Sequence, residues 1–108
     1  MSGSLGDMGN LLRQAQEMQR VLDRVKEELH QKTVEGTAGG GVVSIEITAD
    51  RQEVKSVHID PEVLANSDVE TLEDLVLTAL RDGLRRAEQH ANESMSKVTG
   101  GMNLPGLF

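Results

Sequence analysis

The chain has 108 residues, no cysteine, one aromatic residue and a formal net charge of −7. The lack of cysteine excludes disulfides and thiolate zinc sites. The net negative charge disfavours nucleic acid as a partner, since phosphate backbones bind clustered Lys and Arg. No apolar run approaches the roughly 18 residues of a membrane span. Residues 1–10 also lack the basic start and apolar run of a signal peptide. We therefore expect a soluble cytoplasmic protein with no membrane partner.

The length indicates a single domain over residues 1–108. Its first predicted element is a helix from about Gly9 to Gln31, because strong helix formers fill this stretch. Residues 1–8 are expected to be flexible. Apolar side chains recur in the helix at alternating intervals of three and four, a period that favours packing against another helix. This apolar seam consists of Met8, Leu11, Ala15, Met18, Leu22, Val25 and Leu29.

The length of the first helix favours self-association. At about 1.5 Å per residue it would be roughly 36 Å long, whereas a compact domain of this size has a radius of gyration of about 13 Å. Part of the seam would then project from the domain and require a partner, and a second copy of the chain is the simplest one. Burial against a second copy would also offset the shortage of large aromatic side chains in the core.

A change of period after the first helix predicts a meander of three antiparallel strands. Thr33–Glu35 is predicted as a short extended piece, and the glycine-rich segment 36–41 as a turn. Val43, Ile45 and Ile47 alternate with polar residues, as expected for a half-buried strand. A second turn at 50–52 leads to a third strand with Val57 and Ile59, which Pro61 ends.

A second long helix is predicted to open at Ser67, where Ser67 and Glu70 have the spacing of a capping box. Its broad apolar stripe should cover one face of the sheet, and Gly83 within it suggests a close approach of backbones. The helix should fade near Lys97, leaving 99–108 as a tail that is either flexible or docked. The element order α-β-β-β-α predicts a two-layer α+β domain.

No group of residues suggests catalysis or metal binding. His30, His58 and His90 lie on different predicted elements, without a ligand spacing. The glycine run is followed by a strand and not by a helix, so it is a hairpin loop and not a phosphate loop. No nucleophile, base and orienting group can be proposed together. We expect a non-enzyme with no metal, no cofactor and no small-molecule substrate.

The first helix is the one segment that is not acidic, since residues 8–32 carry five basic against four acidic side chains. Arg13, Arg20 and Arg24 form a stripe opposite the seam, flanked by Gln16 and Gln19. Arg binds phosphate bidentately, but salt bridges with Glu17 would equally explain much of the pattern. A second cluster, Arg81, Arg85 and Arg86, has the same two interpretations. Because stacking aromatics are scarce, duplex DNA is favoured over single strands.

Several segments together resemble the YbaB/EbfC family of bacterial nucleoid-associated proteins. The opening Asn10–Gln19 is similar, as are Gly36 with 39–43, the segments 57–61 and 72–76, and the end 101–106. Family members often have Lys where this chain has Arg13. Many also have an Asn-Gly turn or a similar one where this chain has Thr48-Ala49-Asp50-Arg51.

The resemblance implies an α-β-β-β-α protomer and a tweezer-shaped homodimer, with long helices projecting from a joined sheet core. It implies binding of duplex DNA in the nucleoid or cytoplasm. The DNA-binding residues that it implies are Arg13, Gln14, Gln16, Gln19, Arg20 and Arg24, with Arg81, Arg85 and Arg86 as a second group. The alternative is a protein-interaction or assembly module, in which the seam and the apolar tail 102–108 bind another protein and DNA binding is weak or absent.

Overall fold

The computed structural model describes the backbone of residues 2–99 and the side chains of residues 7–98. The predicted tail 102–108 and the glycines before it lie outside this range. The elements in chain order are α1 (Ser2–Gln31), β1 (Thr33–Ala38), β2 (Val43–Thr48), β3 (Val54–Ile59), α2 (Pro61–Asn66) and α3 (Val69–Thr99). The architecture is the predicted α+β one, in which a three-stranded sheet is combined with two long helices.

The sheet is the predicted antiparallel meander, with strand order β1-β2-β3. β2 is the central strand, and its alternating apolar residues Val43, Ile45 and Ile47 are almost fully buried. They pack with Ala38 of β1 and with Ala79 and Ala87 of α3. The alternation predicted for β2 is therefore confirmed, and α3 covers the face of the sheet on which these side chains lie.

β1 is longer than predicted. It continues through Gly36 to Ala38, so the prediction of a turn beginning at Gly36 was wrong. The turn itself uses Gly39, Gly40 and Gly41, all with positive φ, a backbone conformation that glycine adopts without a steric penalty. Gly36 serves a different purpose, because it lies in a strand where the backbone of α3 approaches closely.

The helix starts also differ in part from the prediction. α1 begins at Ser2 and not near Gly9. α2 was not predicted; Asp60 caps it by accepting the N–H of Glu62 at 2.9 Å. The N-cap of α3 is Asp68 and not Ser67, since Asp68 accepts the N–H of Thr71 at 2.8 Å. Hydrogen bonds from Thr71 hold the pKa of Asp68 below its usual value, as is common for a carboxylate at a helix start.

The described chain is strongly elongated. Its principal extents are 78 × 22 × 17 Å and its radius of gyration is 20.9 Å, against about 13 Å for a compact domain of this length. The excess arises from the two long helices, which extend past the sheet. Within residues 2–99, no helix is long and apolar enough to cross a membrane.

Candidate nucleic-acid interface

α1 is anchored to the domain at one end only. Val25 and Leu29 are buried in a cluster with Ala49, which is covered by partly buried residues of α3 such as Ala91 and Met95. Towards the N-terminus the seam loses its cover: Met18 and Leu22 are half-buried, and Ala15 is exposed. Met8 and Leu11 are 66% and 63% exposed. The C-terminal third of α1 is thus its base, and residues 8–20 form a projecting arm.

A hydrogen-bonded group fixes the base of α1 to the sheet. His30 Nδ1 lies 2.8 Å from Asp50 Oδ2. The hydroxyl of the fully buried Thr48 donates to Asp50 Oδ1 at 2.5 Å, and the N–H of Gln52 donates to the same oxygen at 3.1 Å. Partial burial acts to raise the pKa of Asp50, but these hydrogen bonds and His30 outweigh it and hold that pKa below its usual value. The group ties the last turn of α1 to the turn between β2 and β3.

The arm carries the predicted arginine stripe on the side opposite the seam. Arg13, Arg20 and Arg24 are all exposed. Arg20 forms an ion pair with Glu17 at 3.2 Å. Arg13 and Arg24 have no ion pair within residues 7–98. The salt-bridge interpretation therefore applies to Arg20 and leaves two guanidinium groups available.

The glutamines predicted to accompany the stripe do not form a group. Gln19 donates to Asp23 at 3.1 Å along the helix, and Gln16 is exposed. Gln14 lies on the other side of the stripe, where it lines a largely apolar groove of about 390 Å³ with Glu17, Met18, Val21 and Val98. The same groove thus borders the ion-pair partner of Arg20.

The second predicted cluster lies on α3, beside the outer edge of β1, and is organised by a residue that the sequence did not single out. Asp82 is only 9% exposed and accepts the backbone N–H of Thr37 at 2.9 Å. Its two oxygens also accept hydrogen bonds from Arg85 at 2.6 Å and from Arg86 at 3.0 Å. The hydrogen bond from the Thr37 N–H is the largest effect on the pKa of Asp82 and lowers it. Together with the two guanidinium groups it outweighs burial, which acts to raise this pKa.

On the other flank of α3 the apolar surface continues without cover. Val57 and Val54 of β3 pair with Ile45 and Ile47, so they lie on the face of the sheet that α3 covers elsewhere. They are nevertheless 52% and 53% exposed. A helix is about 10 Å wide and strands are about 4.8 Å apart, so α3 covers β1 and β2 but leaves β3 open. Of the six residues of this strand only Ile59 is partly buried.

Two leucines of α3 extend this open strip. Leu77 and Leu84 are seven residues apart, hence on one side of the helix, and are 43% and 39% exposed. Asp82 points towards β1, so at about 100° per residue these leucines lie on the flank nearer β3. We call Val54, Val57, Leu77 and Leu84 the β3–α3 strip. Exposed apolar side chains grouped on one flank of a domain are typical of protein–protein contact.

Metal-ligating side chains do not cluster within the described residues. No group of three or more His, Cys, Asp or Glu side chains within them could hold a metal ion. Thr48, Asp50 and His30 form a chain of hydrogen bonds, but the hydroxyl donates to the carboxylate and not to the imidazole. Thr48 is also fully buried, so its hydroxyl serves as a structural donor to Asp50.

Comparison with solved structures finds a protein of the same fold. A crystal structure of an uncharacterized protein from Helicobacter pylori matches with a TM-score of 0.69 and 24% sequence identity, covering 86% of this chain and 94% of that one. At this identity the match establishes the fold alone, and it does so over nearly the whole of the related chain.

Sequence comparisons are more specific. A nucleoid-associated protein of Caldanaerobacter subterraneus is 51% identical over 102 residues, which cover 94% of this chain and 91% of that protein. A nucleoid-associated protein of Acetivibrio thermocellus is 48% identical over 104 residues, covering 95% of this chain and 91% of that protein. The model of the YbaB/EbfC DNA-binding family matches residues 5–102. The chain therefore belongs to the YbaB/EbfC DNA-binding family.

Proposed function

We propose that this single-domain protein is a non-catalytic, nucleoid-associated homodimer that binds duplex DNA through phosphate contacts and serves nucleoid organisation or gene regulation. The observation that carries the proposal is the projecting arm of α1. The arm presents Arg13 and Arg24, which form no ion pair among residues 7–98. The chain also belongs to a DNA-binding family.

The chemistry of the arm suits a phosphate backbone. A guanidinium group donates two parallel hydrogen bonds to a phosphate, so Arg13 and Arg24 are ready donors. Arg20 can join them because its ion pair with Glu17 is between side chains that are 70% and 63% exposed, and exposed pairs contribute little to stability. Gln16 and Gln19 both lie on one side of this contact, since successive helix residues are about 100° apart. Gln14 lies at its margin, next to the apolar groove.

Dimerisation would place two arms on one duplex. The β3–α3 strip supports this assembly, since it is an apolar surface at an open sheet edge in a domain with a small core. A second copy docked on the strip would bury Val54 and Val57 of both chains in one isologous contact. The arms would then extend from the two ends of a joined core, in the tweezer arrangement that the resemblance implies.

The net charge of −7 limits the strength of binding and makes its salt dependence the decisive measurement. Fluorescence anisotropy with two unrelated duplexes across a salt series should show affinity falling steeply with salt, with a slope that estimates the number of phosphates contacted. Equal affinity for both duplexes would indicate a role in nucleoid organisation, and a preference would indicate a regulator. Absence of binding at low salt would overturn the proposal.

A protein-interaction module is the second candidate, favoured by the apolar end of the arm. Met8, Leu11 and Leu12 are all more than 60% exposed there. In this case a protein would bind the arm, with the apolar residues 102–108 contributing to the contact. Deleting 102–108 discriminates between the two functions. If the shortened chain no longer captures a protein that the full chain captures, and its DNA affinity is unchanged, the interaction module is favoured. If the deletion changes no captured protein, the module loses its main support.

A further inference from the structure

The cluster around Asp82 joins one buried carboxylate to two exposed guanidinium groups. Its carboxylate side chain is 11% exposed, whereas those of Arg85 and Arg86 are 70% and 58% exposed. The buried carboxylate is fixed to the backbone of β1 through the Thr37 N–H. One carboxylate thus holds two otherwise mobile guanidinium groups at a defined place on the domain surface.

The arginines border an open cleft that has room for an anion. It has a volume of about 500 Å³ and is lined by Thr37, Thr78, Arg81, Asp82, Arg85 and Arg86. Arg81 has no ion pair within the described side chains. Three guanidinium groups face one carboxylate, so the lining is positive in a protein that is negative overall. Two threonine hydroxyls add neutral hydrogen-bond donors.

We propose that this cleft binds a phosphate group of the DNA backbone and that Asp82 is a positioning residue, which orients Arg85 and Arg86 towards that phosphate. The inference rests on the proposed function, because the ligand is the duplex that the arm also contacts. Each arginine uses one side of its guanidinium for Asp82 and keeps other N–H donors for a ligand. Holding the side chains in place before binding reduces the conformational entropy that binding would otherwise cost.

The neighbouring surface sets the direction from which the duplex would approach. Beyond Arg86 a second cleft is lined by Glu35 and Glu93, together with Gln89 and His90. Carboxylates there would repel a phosphate backbone. The duplex must therefore reach the site from the side of Arg81 and Thr78, and Arg86 marks the limit of the positive surface.

The substitution Asp82→Asn tests the inference by the sign of its effect. Removing one negative charge should strengthen DNA binding if charge alone matters. If Asp82 positions the arginines, D82N should instead weaken binding by about fivefold, the loss expected for a weakened charge-assisted contact. The slope of affinity against salt should also fall by about one phosphate contact. The amide side chain introduced by D82N retains an oxygen that can accept the Thr37 N–H, so the fold should be preserved.

The matched control for charge alone is Asp74→Asn, which removes an exposed acid one turn before Thr78 on α3, on the same approach side, that has no ion pair among residues 7–98. D74N should leave the salt slope unchanged and bind DNA equally well or slightly more tightly. A D82N protein that behaves like D74N would overturn the inference. If the wild-type protein binds no duplex, the proposed function fails and this inference fails with it.

The double variant Arg85→Gln/Arg86→Gln shows whether Asp82 acts through the arginines. In that background D82N should have no further effect on affinity, because the groups that it positions are absent. If D82N still weakens DNA binding by about fivefold in that background, Asp82 has a purely structural role. The double variant also keeps the test decisive if D82N does not fold, since unchanged affinity in a folded R85Q/R86Q protein would refute the phosphate site.

Discussion

Gly36 of β1 and Gly83 of α3 lie in direct backbone contact. The Cα of Gly36 is 3.4 Å from the position that a Cβ on Gly83 would occupy. In the other direction, a Cβ on Gly36 would overlap the carbonyl oxygen of Ala79 and the backbone nitrogen of Gly83. The contact brings α3 close enough to the sheet for Asp82, the residue before Gly83, to accept the Thr37 N–H.

The contact is asymmetric, and the two glycines should respond differently to alanine. Gly36→Ala places its Cβ into rigid backbone that cannot give way, so we expect a loss of about 3 kcal/mol in the free energy of unfolding, at the upper end for overpacked cores. Gly83→Ala meets atoms at 3.4 Å and beyond. Its gain in helix propensity of up to about 1 kcal/mol should make it neutral or mildly stabilising.

Urea denaturation followed by circular dichroism measures both effects. Gly40 also has free space for a Cβ, but its φ of +76° would strain an alanine, so Gly40→Ala is not a suitable control. Gly9→Ala, in α1 with nothing near its Cβ, is therefore the cleaner reference. Equal stabilities of the G36A and G83A proteins would show that the helix can move away from the sheet without cost.

The arginines of the arm should be needed for DNA binding but not for folding. Changing Arg13, Arg20 and Arg24 together to Glu reverses three charges on an exposed face, so anisotropy should detect no duplex binding at a salt concentration where the wild type binds. The far-ultraviolet spectrum and the dimer should be retained. Retained DNA affinity in a folded triple variant would place the binding site elsewhere on the protein.

The seam of α1 should stabilise the domain at its base and not along its arm. Leu29→Ala removes a side chain that is 8% exposed and should cost about 2 to 5 kcal/mol. Leu11→Ala removes one that is 63% exposed and should change the free energy of unfolding by less than about 0.5 kcal/mol. Denaturation of the dilute protein compares the two. A large cost for L11A would mean that another surface covers the arm.

The parts of the fold that follow from local pattern could be predicted, and those that depend on tertiary contact could not. The period of α1 and the alternation of Val43, Ile45 and Ile47 were sufficient to identify their elements. The exposure of β3 was not predictable, because it follows from how many strands one helix can cover. The role of Asp82 depends on Thr37, which is 45 residues away in the sequence.

In the candidate site, too, features that follow from local sequence could be predicted and those that depend on tertiary contact could not. Sequence identified the arginines of both clusters, because charge and helical spacing are local properties. It did not identify Asp50 as the partner of His30, 20 residues earlier, or the shift of the α3 cap to Asp68. A carboxylate close to a turn or helix start has several possible partners, and only the folded structure selects one of them.

The link between His30 and Asp50 should make the base of α1 sensitive to acid. The pKa of Asp50 is lowered in the folded protein, so its stabilisation is present above the usual pKa of about 3.9 and is lost as the pH falls through the folded value. At pH 7 the substitution D50N should lower the free energy of unfolding by about 1 kcal/mol. The difference between variant and wild type should shrink as the pH falls below about 4.

Unfolding curves between pH 7 and pH 3 measure this convergence, with D74N as the reference for loss of an exposed acid. If the difference in unfolding free energy between D50N and wild type stays constant down to pH 3, the ionised form of Asp50 contributes nothing to stability. Amide hydrogen exchange across α1 offers an independent check. Protection of residues near His30 should fall in D50N before that of β2, because the hydrogen bond joins the helix to the sheet.

The β3–α3 strip should carry the dimer contact, and a charge placed in it should separate the protomers. Val57→Lys puts an ammonium at the centre of a surface that we propose to be buried between two copies, where an unpaired charge costs several kcal/mol. Sedimentation should then show a folded monomer, in contrast to the dimer that we propose for the wild type, and DNA affinity should fall because one duplex no longer meets two linked arms. Val69→Lys is the matched control, since Val69 is 72% exposed at the start of α3, outside the strip. A V57K protein that remains dimeric would move the contact to another surface, with the exposed apolar end of the arm as the next one to test.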